Sequence, residues 1–375
     1  MAAARQLILS GPFAYLIRIF KAEGFTMASK SKIAAAVLGA SGYTGADLIR
    51  LAALHPGIEI KALIAKSHAG QPLAKVFPHL GVLGLPDLVT SEEVDWEGID
   101  VAFCGLPHAT AHQEIAKLPE SVKVVDMSAD FRLRDPDTYT QWYGGAHGAT
   151  DLLGQAVYGL TEHYRDCIKD ARIVACPGCY PTAILLAMLP LVKRKQIDAG
   201  AIIVDAKSGV TGAGRALKQN TLFAEAGEGL SPYGIGAHRH IPELEQEIGQ
   251  AADETVRVNF TPHLAPMARG ELCTCYVALK DDATVDSLRD ALRDAYKDAP
   301  FIQLLEDGSI PATQNVRGSN YCQIAVFADR LEGRAIVVAA IDNLVKGSAG
   351  QALQNFNLMF GFDETEGLKQ LPLFP

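Results

Sequence analysis

The run Ile33-Ala34-Ala35-Ala36-Val37-Leu38-Gly39-Ala40-Ser41-Gly42-Tyr43-Thr44-Gly45 decides the fold. Its apolar first half reads as a buried strand that ends in glycines at 39, 42 and 45. Residues 46–54 then have helical spacing, and residues 58–64 form a second apolar strand. Strand, glycine turn, helix, strand is the order of a dinucleotide-binding βαβ unit. The spacing is Gly-x-x-Gly-x-x-Gly rather than Gly-x-Gly-x-x-Gly, and glycines alone are a weak signal. Their position between strand and helix gives them weight. Bare backbone there lets a pyrophosphate approach the positive N–H end of a helix. Gly39, Ser41, Gly42, Tyr43, Thr44 and Gly45 are therefore expected to touch a cofactor.

The second strand indicates which cofactor. An NAD site usually carries an acid there for the ribose 2′-hydroxyl. This chain has Ala65-Lys66-Ser67-His68, with no acid. Lys66 and Ser67 suit a 2′-phosphate, so NADP is expected. The bland alternative is a solvated lysine.

Further strands are read at 101–104 and 122–127, with a helix at 108–118. Residues 32–176 thus alternate strand and helix, as in a parallel sheet covered on both faces. From 177 to 343 the texture changes to α+β. Strands are read at 202–206, 256–261, 272–279 and 336–341, and helices at 242–249 and 285–296. A last helix, 344–360, is expected to return to the first domain, which groups 344–375 with 32–176. Residues 1–31 are read as an extension. Positions 1–26 carry no motif, their apolar run is broken by Ser10-Gly11-Pro12 and Arg18, and Met27 looks like an ordinary start. A mis-assigned start or a disordered tail is expected, with a transit-like segment as the alternative.

Composition narrows the function. A chain of 375 residues holds two or three domains. A net charge of −9 argues against non-specific nucleic-acid binding, so an anionic ligand needs a local basic cluster. The apolar N-terminal run is too short to span a bilayer, and no membrane role is expected. Seven cysteines, an odd number, fit a reducing cytoplasm better than a disulfide framework.

Chemistry is carried by Ala175-Cys176-Pro177-Gly178-Cys179-Tyr180-Pro181-Thr182-Ala183. A helix is read over 182–192, with Pro181 at or near its first turn. A thiol at a helix start is expected to have a lowered pKa and to act as a nucleophile, which singles out Cys179. Its acid/base partner is sought in Gly236-Ala237-His238-Arg239-His240-Ile241-Pro242-Glu243. If that segment is extended, His238 and His240 point to one face. His238 is slightly preferred as the base, and Arg239 is expected near the substrate's anionic end. Glu243 either orients an imidazole or is a first-turn helix acid. Arg132, in Ser128-Ala129-Asp130-Phe131-Arg132, and Lys207 are candidate substrate anion binders, joined by Arg215. Ser208 and Gly209 are assigned to the cofactor side. Cys176-x-x-Cys179 with Cys273-x-Cys275 could instead be a redox pair or zinc site. The second spacing is wrong for a zinc knuckle, so no metal is expected and Cys176 is read as a buried strand end.

Taken in order, these motifs, with Asn343-Leu344-Val345-Lys346-Gly347, resemble those of N-acetyl-gamma-glutamyl-phosphate reductases over residues 32–375. The resemblance implies a Rossmann-type NADP-binding domain and an α+β catalytic domain of the glyceraldehyde-phosphate-dehydrogenase kind. It also implies Cys179 as nucleophile, Asn343 near the nicotinamide, an acyl phosphate substrate, and a homodimer or homotetramer. Two rivals are weighed. One is the same chemistry on another acyl phosphate, such as aspartyl phosphate. The other is a non-enzymatic nucleotide-binding thiol sensor or zinc protein.

Overall fold

The run before the glycine turn forms strand β1 (Ile33–Leu38), as read. The computed structural model describes residues 32–306 and 308–375, and the extension read at 1–31 lies outside them. β1 pairs in parallel with β2 (Ile58–Ile64) on one side and β4 (Val101–Cys104) on the other. With β3 (Leu88–Val89), β5 (Lys123–Asp126), β6 (Ala156–Tyr158) and β7 (Ile173–Ala175), they make an all-parallel sheet of order β3-β2-β1-β4-β5-β7-β6. Helix α1 (Tyr43–Ala52) starts three residues before the reading, because Gly42 itself caps it in an extended conformation. The helix read at 108–118 is only Ala111–Ile115. Ala109 is left-handed (φ 62), and the Asp130 carboxylate accepts from the N–H groups of Ala109 and His112. That side chain competes with helical bonding upstream.

The second sheet has order β12-β13-β14-β11-β8-β10-β9. Its strands are β8 (Ile203–Gly209), β9 (Ser231–Pro232), β10 (Asn259–Ala265), β11 (Glu271–Ala278), β12 (Ile302–Leu304), β13 (Cys322–Ala328) and β14 (Arg334–Ile341). β8–β10 and β12–β13 are parallel, and the other pairs are antiparallel. The strand read at 256–261 lies further on, as β10. Pro262 does not end it, because its neighbour β9 is two residues long and makes few ladder bonds there.

Helix α2 (Cys179–Lys193) lies across this sheet and buries Ile184, Leu185 and Met188 with Val204, Cys273 and Val337. Pro190 sits inside it and lacks the N–H that would bond the Leu186 carbonyl. The Tyr296 hydroxyl donates to that carbonyl instead. Helix α3 (Ile241–Ala252) packs beside α2.

The chain then returns to the first sheet. After Asp342 it makes a wide π turn, Val345–Ala349, before helix α4 (Gly350–Met359). The helix read at 344–360 opens as this π turn, with the Gly347 N–H bonding the Asp342 carbonyl and the Ala349 N–H bonding the Leu344 carbonyl, and Asp342 Oδ1 caps its start by accepting from the N–H groups of Leu344 and Val345. Leu353 and Phe356 then bury against the core that holds Val37, Ile49 and Val174. Lys346, fully buried, donates to Glu162 Oε1 at 2.6 Å and Gln354 Oε1 at 2.8 Å.

Candidate active site

Cys179 is the first residue of α2, so the helix starts three residues before the reading. Pro181 falls in its first turn, where a missing N–H leaves no helical bond unmade. Gly178 caps the helix and has no side chain to bond its first-turn N–H groups.

A clamp holds the preceding turn. Arg132 Nε donates to the Cys176 carbonyl at 2.8 Å and Nη2 to the Met127 carbonyl at 3.1 Å. Its Nη1 lies 3.5 Å from Glu243 Oε2. Glu243 Oε1 accepts from the Gly178 N–H at 2.9 Å and the Tyr158 hydroxyl at 2.7 Å. Glu243 is thus a first-turn acid of α3 that holds the turn before Cys179, not an imidazole. Arg132, expected at the substrate, lines the cavity but is occupied in the same clamp. Cys176 follows β7 directly and is fully buried, and burial pushes its thiol up to about 12. Asn355 Nδ2 donates to its sulfur.

A cavity of 540 Å³ opens in front of Cys179 and is lined by His238, His240, Arg239, Ser208 and Arg132 among others. The histidine segment is a turn, not the extended strand expected, since the Ile241 N–H bonds back to the His238 carbonyl. Both imidazoles nevertheless reach the cavity, their rings 4.7 Å apart. Burial and then Arg239 push His238 down to about 4, and burial with His238 and Arg132 pushes His240 well below the ordinary value. Both are neutral near pH 7. His238 Nδ1 accepts from the His240 N–H at 3.1 Å, which assigns the neutral ring's proton to Nε2. His240 Nε2 stands over Gly178, where an added Cβ would lie 2.3 Å away.

The thiol differs from the expectation. Burial, and then the Glu271 carboxyl, push Cys179 well above the ordinary thiol value. Burial outweighs the helix start here.

Arg239 Nη1 lies 2.9 Å from His108 Nε2, and its guanidinium lies over the Tyr143 ring at 5.5 Å. Lys207, expected at the substrate, is ion-paired with Asp205 at 2.6 Å and is not among the cavity's lining residues. Lys218, Asn220 and Tyr233 line the cavity and escaped the sequence reading, because each lies in a loop without periodicity.

On the cofactor side, Gly39 is left-handed (φ 84), and a Cβ there would meet the Gly105 carbonyl at 2.6 Å. A Cβ on Gly45 would meet the Gly39 carbonyl at 2.4 Å. Only glycine allows that approach of turn, helix and neighbouring strand. Gly42, Tyr43 and Thr44 present the uncapped start of α1. Lys66 and Ser67 are exposed on a short turn after β2. Arg215 reaches the glycine turn, donating to the Ser41 carbonyl at 3.2 Å, with its guanidinium 4.5 Å from the Phe77 ring centroid. Asn343 donates to Thr211 Oγ1 at 3.0 Å and accepts from the Gly270 N–H at 2.9 Å. A Cβ on Gly209 would meet the Ala268 carbonyl at 2.7 Å, so this loop is tightly packed. Among the described residues, no group of three or more His, Cys, Asp or Glu could hold a metal ion.

Comparison with known proteins agrees with this layout. Residues 34–171 match the semialdehyde dehydrogenase NAD-binding domain, and residues 179–343 match the semialdehyde dehydrogenase dimerisation domain. The structure of aspartate semialdehyde dehydrogenase with NADP from Candida albicans superposes with a TM-score of 0.66 at 18% identity, over 88% of this chain and 99% of that one. This likeness speaks to the fold alone. The N-acetyl-gamma-glutamyl-phosphate reductase of Jannaschia sp. is 54% identical over 91% of this chain and 98% of its own length. The probable chloroplastic N-acetyl-gamma-glutamyl-phosphate reductase of Arabidopsis thaliana is 50% identical over 90% of this chain and 84% of its own. At that identity, and over nearly the whole folded chain, this protein belongs to the N-acetyl-gamma-glutamyl-phosphate reductase family.

Proposed function

We propose that this chain reduces N-acetyl-L-glutamyl 5-phosphate to N-acetyl-L-glutamate 5-semialdehyde and phosphate, with NADPH, in arginine biosynthesis. The observation that carries the reading is Cys179 at the start of α2, facing a cavity that also holds two neutral histidines. Family membership selects the N-acetyl-glutamyl substrate over aspartyl phosphate.

Cys179 attacks the acyl carbon, phosphate leaves, and an enzyme thioester results. Open N–H groups at the start of α2 are placed to stabilise the oxyanion. NADPH, when bound, supplies the hydride that reduces the thioester carbon. His238 donates a hydrogen bond from its Nε2–H to the substrate oxygens, as a neutral ring can, and polarises the reacting carbonyl. Arg239 and Lys218 supply cationic contacts for the substrate's anionic groups, in place of Lys207. The start of α1 suits the cofactor pyrophosphate, and Lys66 and Ser67 suit the 2′-phosphate. Ser208, Gly209 and Asn343 form the wall toward the nicotinamide.

The face of the second sheet that carries exposed Ile203, beside exposed Ile235, is assigned to contact with a second copy of the chain. No helix of the described residues is long and apolar enough to cross a membrane. We place the protein in a reducing cytoplasm, consistent with its seven free thiols.

The test is phosphate-dependent reduction of NADP by N-acetyl-glutamate 5-semialdehyde, run beside aspartate semialdehyde. The N-acetyl substrate should dominate, and a preference for aspartate semialdehyde would overturn the reading. Cys179→Ser should lose nearly all turnover, whereas Cys176→Ser should keep most of it. Equal loss in both would point to a dithiol.

A further inference from the structure

A buried ion pair joins the two halves of the nucleotide site. Arg269, in the turn between β10 and β11, meets Asp47 on α1 with both ends of its guanidinium. Nη2 lies 2.8 Å from Asp47 Oδ1, and Nη1 lies 3.1 Å from Oδ2. Asp47 is 3% exposed and sits one turn below the start of α1, and its Oδ1 also accepts from Arg50 Nε at 2.9 Å. Arg269 Nη1 is 3.5 Å from Asp342 Oδ1 as well. Asp342 is fully buried, caps the π turn before α4, and directly precedes Asn343.

The turn that carries Arg269 backs the cavity wall. The N–H groups of Gly209, Val210 and Thr211 donate to the carbonyls of Gly270, Met267 and Ala268, and Thr211 Oγ1 donates to Ala268 at 2.7 Å. The Gly270 N–H is held in turn by Asn343 Oδ1. Ser208, Gly212 and Ala213, on or beside the supported loop, line the cavity in front of Cys179. The same loop is tied at its far end, where Arg215 donates to the Ser41 carbonyl of the glycine turn. One guanidinium therefore connects the helix whose start suits the cofactor pyrophosphate with the wall toward the nicotinamide.

Stability alone does not account for the pair. Burying two charges carries a desolvation penalty, and packed apolar side chains of similar volume often do as well or better. A bidentate guanidinium–carboxylate contact does what apolar packing does not, since it fixes both distance and orientation. Because the Arg269 guanidinium is committed to two carboxylates, it is not free to serve as a phosphate ligand itself.

We propose that Arg269 is a positioning residue for hydride transfer. Its hold on Asp47 sets the span between the pyrophosphate end of the cofactor site and the wall built from Gly209 and Asn343. That span sets the approach of the nicotinamide to Cys179. A shift of about 1 Å there costs on the order of 10²-fold in rate, while the contacts of α1 that hold the pyrophosphate stay in place.

This inference rests on the NADPH-dependent reading of the site, and one arm of its test needs no substrate. Arg269→Lys keeps a charge but offers only a point contact. The double variant Asp47→Leu with Arg269→Met removes the pair without stranding a carboxylate. On the full chain, the measurements are melting temperature, NADPH affinity by fluorescence, and the change that saturating NADP makes to Cys179 alkylation by iodoacetamide. Both variants should melt within a few degrees of the parent and bind NADPH with unchanged affinity. The change that NADP makes to alkylation should shrink in Arg269→Lys and vanish in the double variant. With substrate, kcat should fall about 10²-fold in the double variant and less in Arg269→Lys. The isotope effect from NADPH deuterated at the transferred hydrogen should grow, because hydride transfer then limits turnover. A double variant with parental kcat, isotope effect and NADP effect on alkylation would overturn the proposal and leave the pair merely structural. If that variant melts early, Arg269→Lys decides by the same readings. A marked loss of NADPH affinity would also overturn it, by placing Arg269 in the making of the cofactor site. A parent chain that binds NADPH but does not reduce N-acetyl-glutamyl phosphate overturns the functional reading alone, provided the NADP effect on Cys179 is present there and lost in the double variant.

Discussion

Replacing Gly178 by alanine isolates the histidine's position from everything else. Gly178 has φ −62 and ψ 160, a conformation alanine adopts without strain. The added methyl would meet His240 Nε2 at 2.3 Å, with ring carbons at 2.7 and 2.8 Å. Ordinary contact is about 3.5 Å, so the ring must retreat by about 1 Å. The His240 N–H bonds His238 Nδ1, and the rings are neighbours, so His238 is dragged with it. A displacement of about 1 Å in a catalytic group costs on the order of 10²-fold in rate. The backbone conformation suits alanine, which favours the fold by about 0.4–1 kcal/mol, while the overlap with the ring opposes it by about 1–3 kcal/mol. The expected result is kcat down about 100-fold, KM for NADPH unchanged, and a melting temperature within a few degrees of the parent. A well-folded variant with kcat within about threefold of the parent would refute the reasoning and remove the histidines from the chemistry.

Two other perturbations probe separate parts of the molecule. Ser67→Asp should turn cofactor preference from NADP toward NAD, measured as kcat/KM with each, because the new carboxylate repels a 2′-phosphate; unchanged preference would move the 2′-phosphate away from this turn. Lys346→Met strands the fully buried Glu162 carboxylate, which should cost about 3–5 kcal/mol, or about 4–7 °C of melting temperature for a body of this size. Adding Glu162→Leu should restore most of it, and a Lys346→Met variant that melts normally would show the pair to be dispensable.

The sequence reading succeeded where a local pattern dictates the structure. β1, the glycine turn and β2 were legible because an apolar run, three glycines and a second apolar run leave few alternatives. The helix start at Cys179 was legible, within three residues, because Pro181 and the small residues around it mark it. Helix and strand ends shifted where one distant side chain competes for backbone bonds. Asp130 shortens the helix after Ala109, and Asp342 caps the π turn that opens the last one. The roles of Arg132 and Glu243 could not be read because they depend on residues far away in sequence meeting at Cys176 and Gly178. Sequence patterns also carry no measure of desolvation. That is why the expected fall in the Cys179 pKa became a rise.

The returning C-terminus sets a timetable for synthesis. The first sheet has all its strands once β7 is made at residue 175, yet Leu353, Phe356 and Leu368 complete its core. At about 5–20 residues per second, a ribosome needs roughly 10–40 s to deliver them. Through that interval the apolar side chains around Val37, Ile49 and Val174 lack part of their final cover. The nascent chain is then a target for holding chaperones, and a message truncated just before residue 345 yields a product with an open core rather than a smaller working enzyme.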